Sequence, residues 1–255
     1  MVWANFLHIY QPFGQQPDIL EAVVFQSYRP LLKGILDHPK AKLTLNVTGS
    51  LLELFDKYGY QDLIDSLRTA GLSGQIEFTG TAKYHPLLTF LTDDEIIRQI
   101  KINDEANIFY LGDSYHPTGF FPPEMCYEPR LAPILDHLGF KWVILDEIAF
   151  SGRVEGVDYA KSYRIKNNNI LAFFRDRRVS TLIMSAAARL SSSLARAIQS
   201  DLSSNKYLLT GMDGETFGHH RPGLENLLFE VFTDPRFELV TISEIPNLFP
   251  EIEEV

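Results

Sequence analysis

The chain has 255 residues, of which 45% are apolar and 22% charged; this composition is typical of a globular protein and excludes disordered and collagen-like classes. Its 33 acidic and 23 basic residues give a net charge of −10, which disfavours nucleic acid and anionic membranes as partners. Because Cys126 is the single cysteine, an internal disulfide framework and a cysteine-based zinc cluster are excluded.

The N-terminal residues carry no basic region, long apolar region or small-residue cleavage site, so they do not resemble a signal peptide. No stretch approaches the roughly 18 apolar residues that a membrane span requires. We therefore expect a cytoplasmic protein that does not associate with membranes.

Short apolar runs alternate along the chain with longer segments in which apolar residues recur every three or four positions. The runs predict strands at residues 2–8, 41–47, 75–79, 119–121, 142–145, 170–174, 207–212 and 237–241. The longer segments predict helices at residues 20–36, 51–58, 61–70, 96–111, 130–138, 179–187, 190–200 and 224–233.

Three local signals refine this assignment. Ser50 is a possible cap of the helix at 51–58, and Thr92 with Glu95 three residues later forms the pattern of a capping box. Residues 154–169 are less regular and predict a small hairpin that turns at residues 167–169. With no linker and no repeat, the alternation predicts one α/β domain over residues 1–255, with about seven strands in a parallel sheet or barrel.

Polar residues stand at or just after several predicted strands. They are His8, Glu77, His85, Glu124, Asp146, Glu147, Asp213 and Glu215. In a parallel barrel the carboxyl ends of the strands meet at one face, where active sites lie, so these residues would converge. The alternative interpretation is that each acid only caps the helix that follows.

Two segments carry the sharpest signals. In residues 119–125 two prolines precede Glu124 and fix the backbone beside it, among aromatic residues. In residues 211–220 Asp213 and Glu215 flank a glycine at the end of an apolar strand. Two rigid carboxylates on one barrel face suggest glycoside hydrolysis, in which one acts as nucleophile and the other as acid/base.

Other chemistries find less support. His219 and His220 are adjacent and point in different directions, and no His-x-x-x-His or His-Glu-x-x-His pattern occurs. The glycine-flanked serine of esterases and the glycine-rich phosphate loops are also absent. The basic residues 175–178 favour a solvated loop with a structural ion pair.

Four stretches of the chain, in order, resemble the characteristic regions of glycoside hydrolase family 57. Residues 7–12 resemble the first region, in which the family has His-x-His-Gln-Pro. Residues 74–86, 119–124 and 213–218 resemble the second, third and fourth regions. One such match alone is weak, whereas four in the family's order make the resemblance specific.

The resemblance implies an irregular (β/α)7 barrel of the glycoside hydrolase/deacetylase type and a retaining reaction on α-glucans or maltooligosaccharides, as in α-amylases and 4-α-glucanotransferases. It implies Glu124 as nucleophile and Asp213 as general acid/base, with neither a metal nor an organic cofactor. The residues expected to bind substrate are His8, Tyr10, Gln11, Glu77, His85, Phe121, Glu215, Phe217 and His219.

Two departures from the family pattern leave other interpretations open. Tyr10 stands where the family has the second histidine of its first region. Family enzymes usually continue into a helical domain, whereas only residues 242–255 follow the last predicted strand, so we expect a barrel without that domain. The alternatives are an α-glucan-binding relative with little or no turnover and, with less support, a metal-dependent polysaccharide deacetylase.

Overall fold

A computed structural model describes residues 1–255, and its centre is a curled sheet of mostly parallel strands. The strands are β1 (Val2–Ile9), β2 (Leu43–Val47), β3 (Ile76–Gly80), β4 (Gly119–Phe120), β5 (Trp142–Asp146), β6 (Ser162–Arg164), β7 (Leu171–Arg175), β8 (Tyr207–Asp213), β9 (Glu238–Val240) and β10 (Ile252–Glu254). The helices are α1 (Pro17–Val23), α2 (Arg29–Asp37), α3 (Gly49–Lys57), α4 (Gln61–Leu72), α5 (Asp93–Leu111), α6 (Leu131–His137), α7 (Ile148–Ser151), α8 (Arg177–Met184), α9 (Ser191–Ala197), α10 (Gln199–Leu202), α11 (Glu225–Thr233) and α12 (Ile245–Leu248).

Seven parallel strands form an incompletely closed barrel in the order β8-β1-β2-β3-β4-β5-β7. β7 and β8 do not pair, and one backbone hydrogen bond, from Asp176 N to Leu209 O (2.7 Å), crosses the seam between them. β6 runs antiparallel beside β7, β10 pairs with β6, and β9 pairs with the start of β1. The irregular (β/α)7 barrel that the resemblance implies is therefore confirmed.

All eight predicted strands are present, with ends that differ from the prediction by at most two residues. The hairpin turn at residues 167–169 is also present, but it joins β6 to β7, so the second strand lies beyond the predicted segment. The predicted helix at 20–36 is interrupted by a π-helical turn at Val24–Tyr28. β10 was not predicted, because a three-residue exposed strand in an acidic tail carries little apolar pattern.

The predicted caps have different outcomes. Thr92 caps α5, since its side chain accepts a hydrogen bond from Glu95 N (3.4 Å), but the Glu95 carboxylate bonds to Arg98 and Gln99, so the predicted capping box is only half formed. Ser50 does not cap α3, because the helix begins at Gly49 and Ser50 lies inside its first turn. Thr48 caps it instead, accepting from Leu51 N (3.3 Å).

Two rows of polar side chains cross the barrel between β1, β2 and β3. In the upper row, nearer the carboxyl ends, His8 Nδ1 donates to Asn46 Oδ1 (2.8 Å) and Asn46 Nδ2 donates to Thr79 Oγ1 (2.9 Å). In the lower row Thr44 Oγ1 donates to Glu77 Oε2 (3.0 Å). Because residues two apart on a strand face the same side, the rows lie one above the other, and the upper one faces the open end of the barrel.

Candidate active site

A cleft opens at the carboxyl ends of the barrel strands, and His8, Glu124 and Asp213 lie at its centre. It consists of two adjoining hollows of about 200 Å³ and about 110 Å³, which share these three residues. They come from β1, from the turn after β4 and from the end of β8, so the predicted convergence of strand ends is present. The other lining residues are Phe6, Tyr10, Gln11, His85, Phe121, Met125, Asp146, Arg175, Met212, Glu215 and His220.

The backbone of the turn after β4 holds Glu124 in an unusual conformation. Glu124 and the following Met125 have φ angles of 59° and 54°, in the left-handed region that residues other than glycine rarely adopt. The rigid Pro122-Pro123 pair precedes them, and Met125 N donates to Pro122 O (2.8 Å). The Glu124 side chain is 72% exposed in the cleft, with one oxygen 3.9 Å from His85 Nδ1. Local strain thus directs an accessible carboxylate into the cleft.

Asp213 ends β8 and faces the cleft across from Glu124. Partial desolvation raises the pKa of its carboxyl, and the negative charge of Glu124 raises it further. The electrostatic interactions of Asp213 with His220 and with the Arg175 guanidinium act in the opposite direction and lower that pKa. The net effect is upward, so Asp213 keeps its proton to a higher pH than an ordinary aspartate and is suited to donate it.

Glu215 lies buried beside Asp213 in a network of side chains. Gln11 Nε2 donates to Glu215 Oε1 (3.1 Å), and the Tyr28 hydroxyl donates to the same oxygen. Burial raises the pKa of Glu215 to about 7; the bond from Tyr28 lowers it and the charge of Asp213 raises it. The carboxyl therefore titrates near neutral pH. Tyr28 itself ends the π-helical turn, a local irregularity that often accompanies functional sites.

A stack of rings forms one wall of the cleft. The Tyr10 and His85 ring centroids lie 4.6 Å apart, those of His85 and His8 also 4.6 Å, and Phe121 packs against His8 at 4.8 Å. Burial, with a contribution from the charge of His85, lowers the pKa of His8 to about 3. His8 is therefore neutral near pH 7, and because its Nδ1 donates to Asn46, its Nε2 is an acceptor for a hydroxyl group.

Glu77 does not line the cleft, contrary to the expectation that it binds substrate. It lies in the lower row of the barrel interior, where its carboxylate accepts from Thr44 Oγ1 (3.0 Å) and from Ser243 N (3.3 Å). The reason is its position inside β3, which continues to Gly80. Phe6 is level with Thr44 and Glu77 and still lines the cleft, so Glu77 is kept out of the cleft by its hydrogen bonds to Thr44 and Ser243 rather than by its level alone.

Phe217 and His219 also lie outside the cleft lining. Phe217 is fully buried in the apolar core, so its ring is not available for stacking on a sugar. His219 Nδ1 bonds to Gln26 Oε1 (2.7 Å), and the adjacent His220 lines the cleft in its place. The segment after Asp213 begins with a tight turn at Gly214–Thr216, which changes the direction of the residues that follow.

Asp146, one of the strand-end residues predicted to converge, lines the cleft together with Arg175, which the sequence analysis did not assign to the site. Arg175 Nε bonds to Asp146 Oδ2 (2.8 Å), and its Nη1 donates to Gly211 O (3.1 Å) on β8. The ion pair predicted for residues 175–178 is thus present, but Arg175 is partly buried beside Asp213 rather than in a solvated loop. Arg175 ends its strand as Asp146 does, and this is the signal that could have identified it.

The cleft's histidines and carboxylates do not form a metal cluster: no three or more His, Cys, Asp or Glu side chains have an arrangement that could hold an ion. None of the helices combines the length and apolar character that a membrane span requires.

The chain is similar to known proteins along nearly its whole length. An α-amylase from Pyrococcus horikoshii is 25% identical over 261 aligned residues, which cover 96% of this chain and 40% of the amylase. A 4-α-glucanotransferase from Thermococcus litoralis is 26% identical over 247 residues, covering 95% of this chain and 36% of the relative. A crystal structure of 4-α-glucanotransferase from that organism superposes with a TM-score of 0.85 at 23% identity, over 100% of this chain and 41% of the other.

The chain therefore spans 36–41% of the length of these relatives. The family model of glycosyl hydrolase family 57 matches residues 3–254, that is, all but the first two residues and the last. The chain belongs to glycosyl hydrolase family 57.

Proposed function

We propose that residues 1–255 form one catalytic domain that cleaves or transfers α-glucans with retention, through a covalent glycosyl-enzyme. The observation that carries this proposal is the contrast between two carboxyl groups in one cleft. Glu124 is exposed on a strained turn, whereas Asp213 has a raised pKa. A pair of carboxyl groups in contrasting environments is the arrangement that divides the roles of nucleophile and acid in glycoside hydrolysis.

In the first step, protonated Asp213 gives its proton to the glycosidic oxygen as the bond between that oxygen and the anomeric carbon breaks. The Glu124 carboxylate attacks the anomeric carbon and forms an ester with it. In the second step, ionised Asp213 takes a proton from water or from an acceptor sugar hydroxyl. The oxygen of that acceptor displaces Glu124 and restores both carboxyl groups, so water gives hydrolysis and a sugar gives transfer.

The ring wall and the buried network supply the groups that hold the sugar. His8 Nε2 accepts a bond from a sugar hydroxyl, and the Tyr10 ring packs against the sugar face. Gln11 and Glu215 offer further polar atoms beside Asp213. Because Glu215 titrates near neutral pH, it donates to a hydroxyl when protonated and accepts from one when ionised.

The α-linked substrate is inferred from the relatives, which are named α-amylase and 4-α-glucanotransferase. A neutral glucan also suits a chain of net charge −10, since it requires no basic surface.

The test is to incubate the protein with maltooligosaccharides and to resolve the product lengths. Shorter products alone indicate hydrolysis, and longer products together with shorter ones indicate transfer. Trapping with a fluorinated glycosyl fluoride should leave one sugar on the peptide that contains Glu124. Tight binding without products would favour the glucan-binding alternative, and chelator-sensitive release of acetate from an acetylated polysaccharide would favour the deacetylase.

A further inference from the structure

A shallow groove of about 570 Å³ runs beside the cleft, over the outer surface of α3 and α5. We propose that this groove, here called the α3–α5 groove, binds an α-glucan chain whose other part occupies the catalytic cleft. The inference rests on the proposed function for its ligand class, but it adds a binding surface outside the catalytic cleft.

Exposed aromatic surface continues from the cleft wall into the near end of the groove. Tyr84 lines the groove, and the next residue, His85, stacks on Tyr10 inside the cleft. The Tyr84 ring also meets the Phe13 ring edge to face, with centroids 6.0 Å apart. Tyr84 is 42% and Phe13 57% exposed, so both rings are available to a ligand that leaves the cleft. Contiguous exposed apolar surface of this kind marks binding sites.

A further exposed aromatic residue lies at the far end of the groove. Phe109 is 76% exposed, and its ring packs edge to face on Tyr110 at 4.9 Å. Arg98, Glu105 and Phe109 line the same side of the groove at helical spacing along α5. At 1.5 Å per residue, the distance along the helix axis from Arg98 to Phe109 is about 16.5 Å. A surface of this length fits an extended oligomer better than a single sugar.

The charges along the groove favour a neutral ligand. Lys83 Nζ is paired with Glu53 (2.7 Å), and Arg98 is paired with Glu95 (2.7 Å). No uncompensated basic group is therefore offered to a phosphate or carboxylate chain. The paired groups still present polar atoms between two aromatic ends, and a glucan offers both hydroxyls and apolar ring faces to such a surface.

The experiment compares binding of amylose and of maltotriose to the wild type and to four variants, by calorimetry or by retardation in amylose gels. Phe109→Ala and Tyr84→Ala should each raise the Kd for amylose about tenfold, which is the effect expected from the loss of one aromatic contact. Phe109→Ala should leave the Kd for maltotriose unchanged, because a trisaccharide bound in the cleft does not reach the far end. Phe25→Ala is the matched control, because Phe25 is 56% exposed and lies outside the groove.

An unchanged amylose affinity in Phe109→Ala would overturn the proposal, and so would a loss that is the same for both ligands. Phe109→Tyr should restore the affinity, which separates a ring contact from a folding defect. A change of oligomeric state in the variants, measured by light scattering, would instead assign the groove to contacts between copies. If amylose binding depends on chain length in this way but no product forms, only the catalytic proposal is contradicted. If products form but amylose binding lacks this length dependence, only the groove proposal is contradicted.

Discussion

The turn after β4 positions Glu124 through its backbone, whereas packing and side-chain hydrogen bonds position Glu215 in the turn after β8, next to Asp213 at the strand end. Glu124 has a left-handed φ of 59° behind two prolines, and its side chain is free in the cleft. After β8, Gly214 packs so closely that an added Cβ would lie 2.5 Å from Ile9 Cγ2.

The difference matches the two tasks in the proposed reaction. A nucleophile must reach the anomeric carbon, so an exposed carboxylate on a rigid turn suits it. An acid must hold its proton, so a partly desolvated carboxyl beside another negative charge suits it. Backbone strain provides the first environment, and partial burial at the end of β8 near the charge of Glu124 provides the second.

The largest expected effect comes from removing the carboxylate on the strained turn. Glu124→Ala should lower turnover of maltooligosaccharides at least about a thousandfold, because no ester can form without the nucleophile. With an activated glycosyl donor, added azide should restore product formation as a glycosyl azide of inverted configuration. Glu238→Gln, an exposed acid on β9, serves as the control. Unchanged turnover in Glu124→Ala would reject Glu124 as the nucleophile.

The next largest effect is on the pH dependence of stability, and measuring it tests the buried network around Glu215. The pKa of Glu215 is about 7 in the folded protein and about 4.5 when unperturbed, so the folded state binds more protons between those pH values. Glu215 therefore contributes about 3 kcal/mol to the free energy of unfolding. This contribution is fully present below pH 4.5 and is lost as the pH rises through about 7.

Glu215→Gln cannot ionise, so its free energy of unfolding should fall less over this range than that of the wild type. Urea denaturation at steps from pH 4.5 to 7.5 measures both. Parallel curves would show that Glu215 is not held in its protonated form by the fold.

The strand-end residues could be predicted from sequence because a parallel barrel brings the ends of its strands to one face. His8, Glu124 and Asp213 follow that rule and meet in the cleft. Glu77 has the same local appearance, but β3 continues past it to Gly80, and a difference of a few residues in a strand end places a side chain in a deeper row.

Other parts of the site depend on features that periodicity does not report. Tyr28 reaches Glu215 because a π-helical turn interrupts the first helical segment. His220, rather than His219, reaches the cleft because the chain turns after Asp213. The unpaired seam between β7 and β8 likewise follows from tertiary packing, since both strands have ordinary apolar patterns.

Packing after β8 is tested by Gly214→Ala. The new methyl group would meet the buried Ile9 side chain, so the variant should lose about 2 kcal/mol of unfolding free energy through overpacking. Gly14→Ala is the matched control, because nothing lies within 4 Å of its added Cβ. Equal urea midpoints for the two variants would show that the turn after β8 does not depend on this contact.

The smallest expected effect concerns Asp213, the proposed proton donor, and is a change in the pH profile of kcat/KM. The charge of Arg175 lowers the pKa of Asp213, so Arg175→Gln should raise that pKa further and move the alkaline limb of kcat/KM to higher pH. The peak value should fall by less than about tenfold, because Arg175 acts on the proton donor rather than on the reacting atoms.

Arg178→Gln, which instead breaks a pair with Asp201, should leave the limb in place. Arg175→Lys keeps the charge and should return the limb towards the wild-type position; a limb that moves equally in the Gln and Lys variants would indicate a change of loop structure rather than of charge.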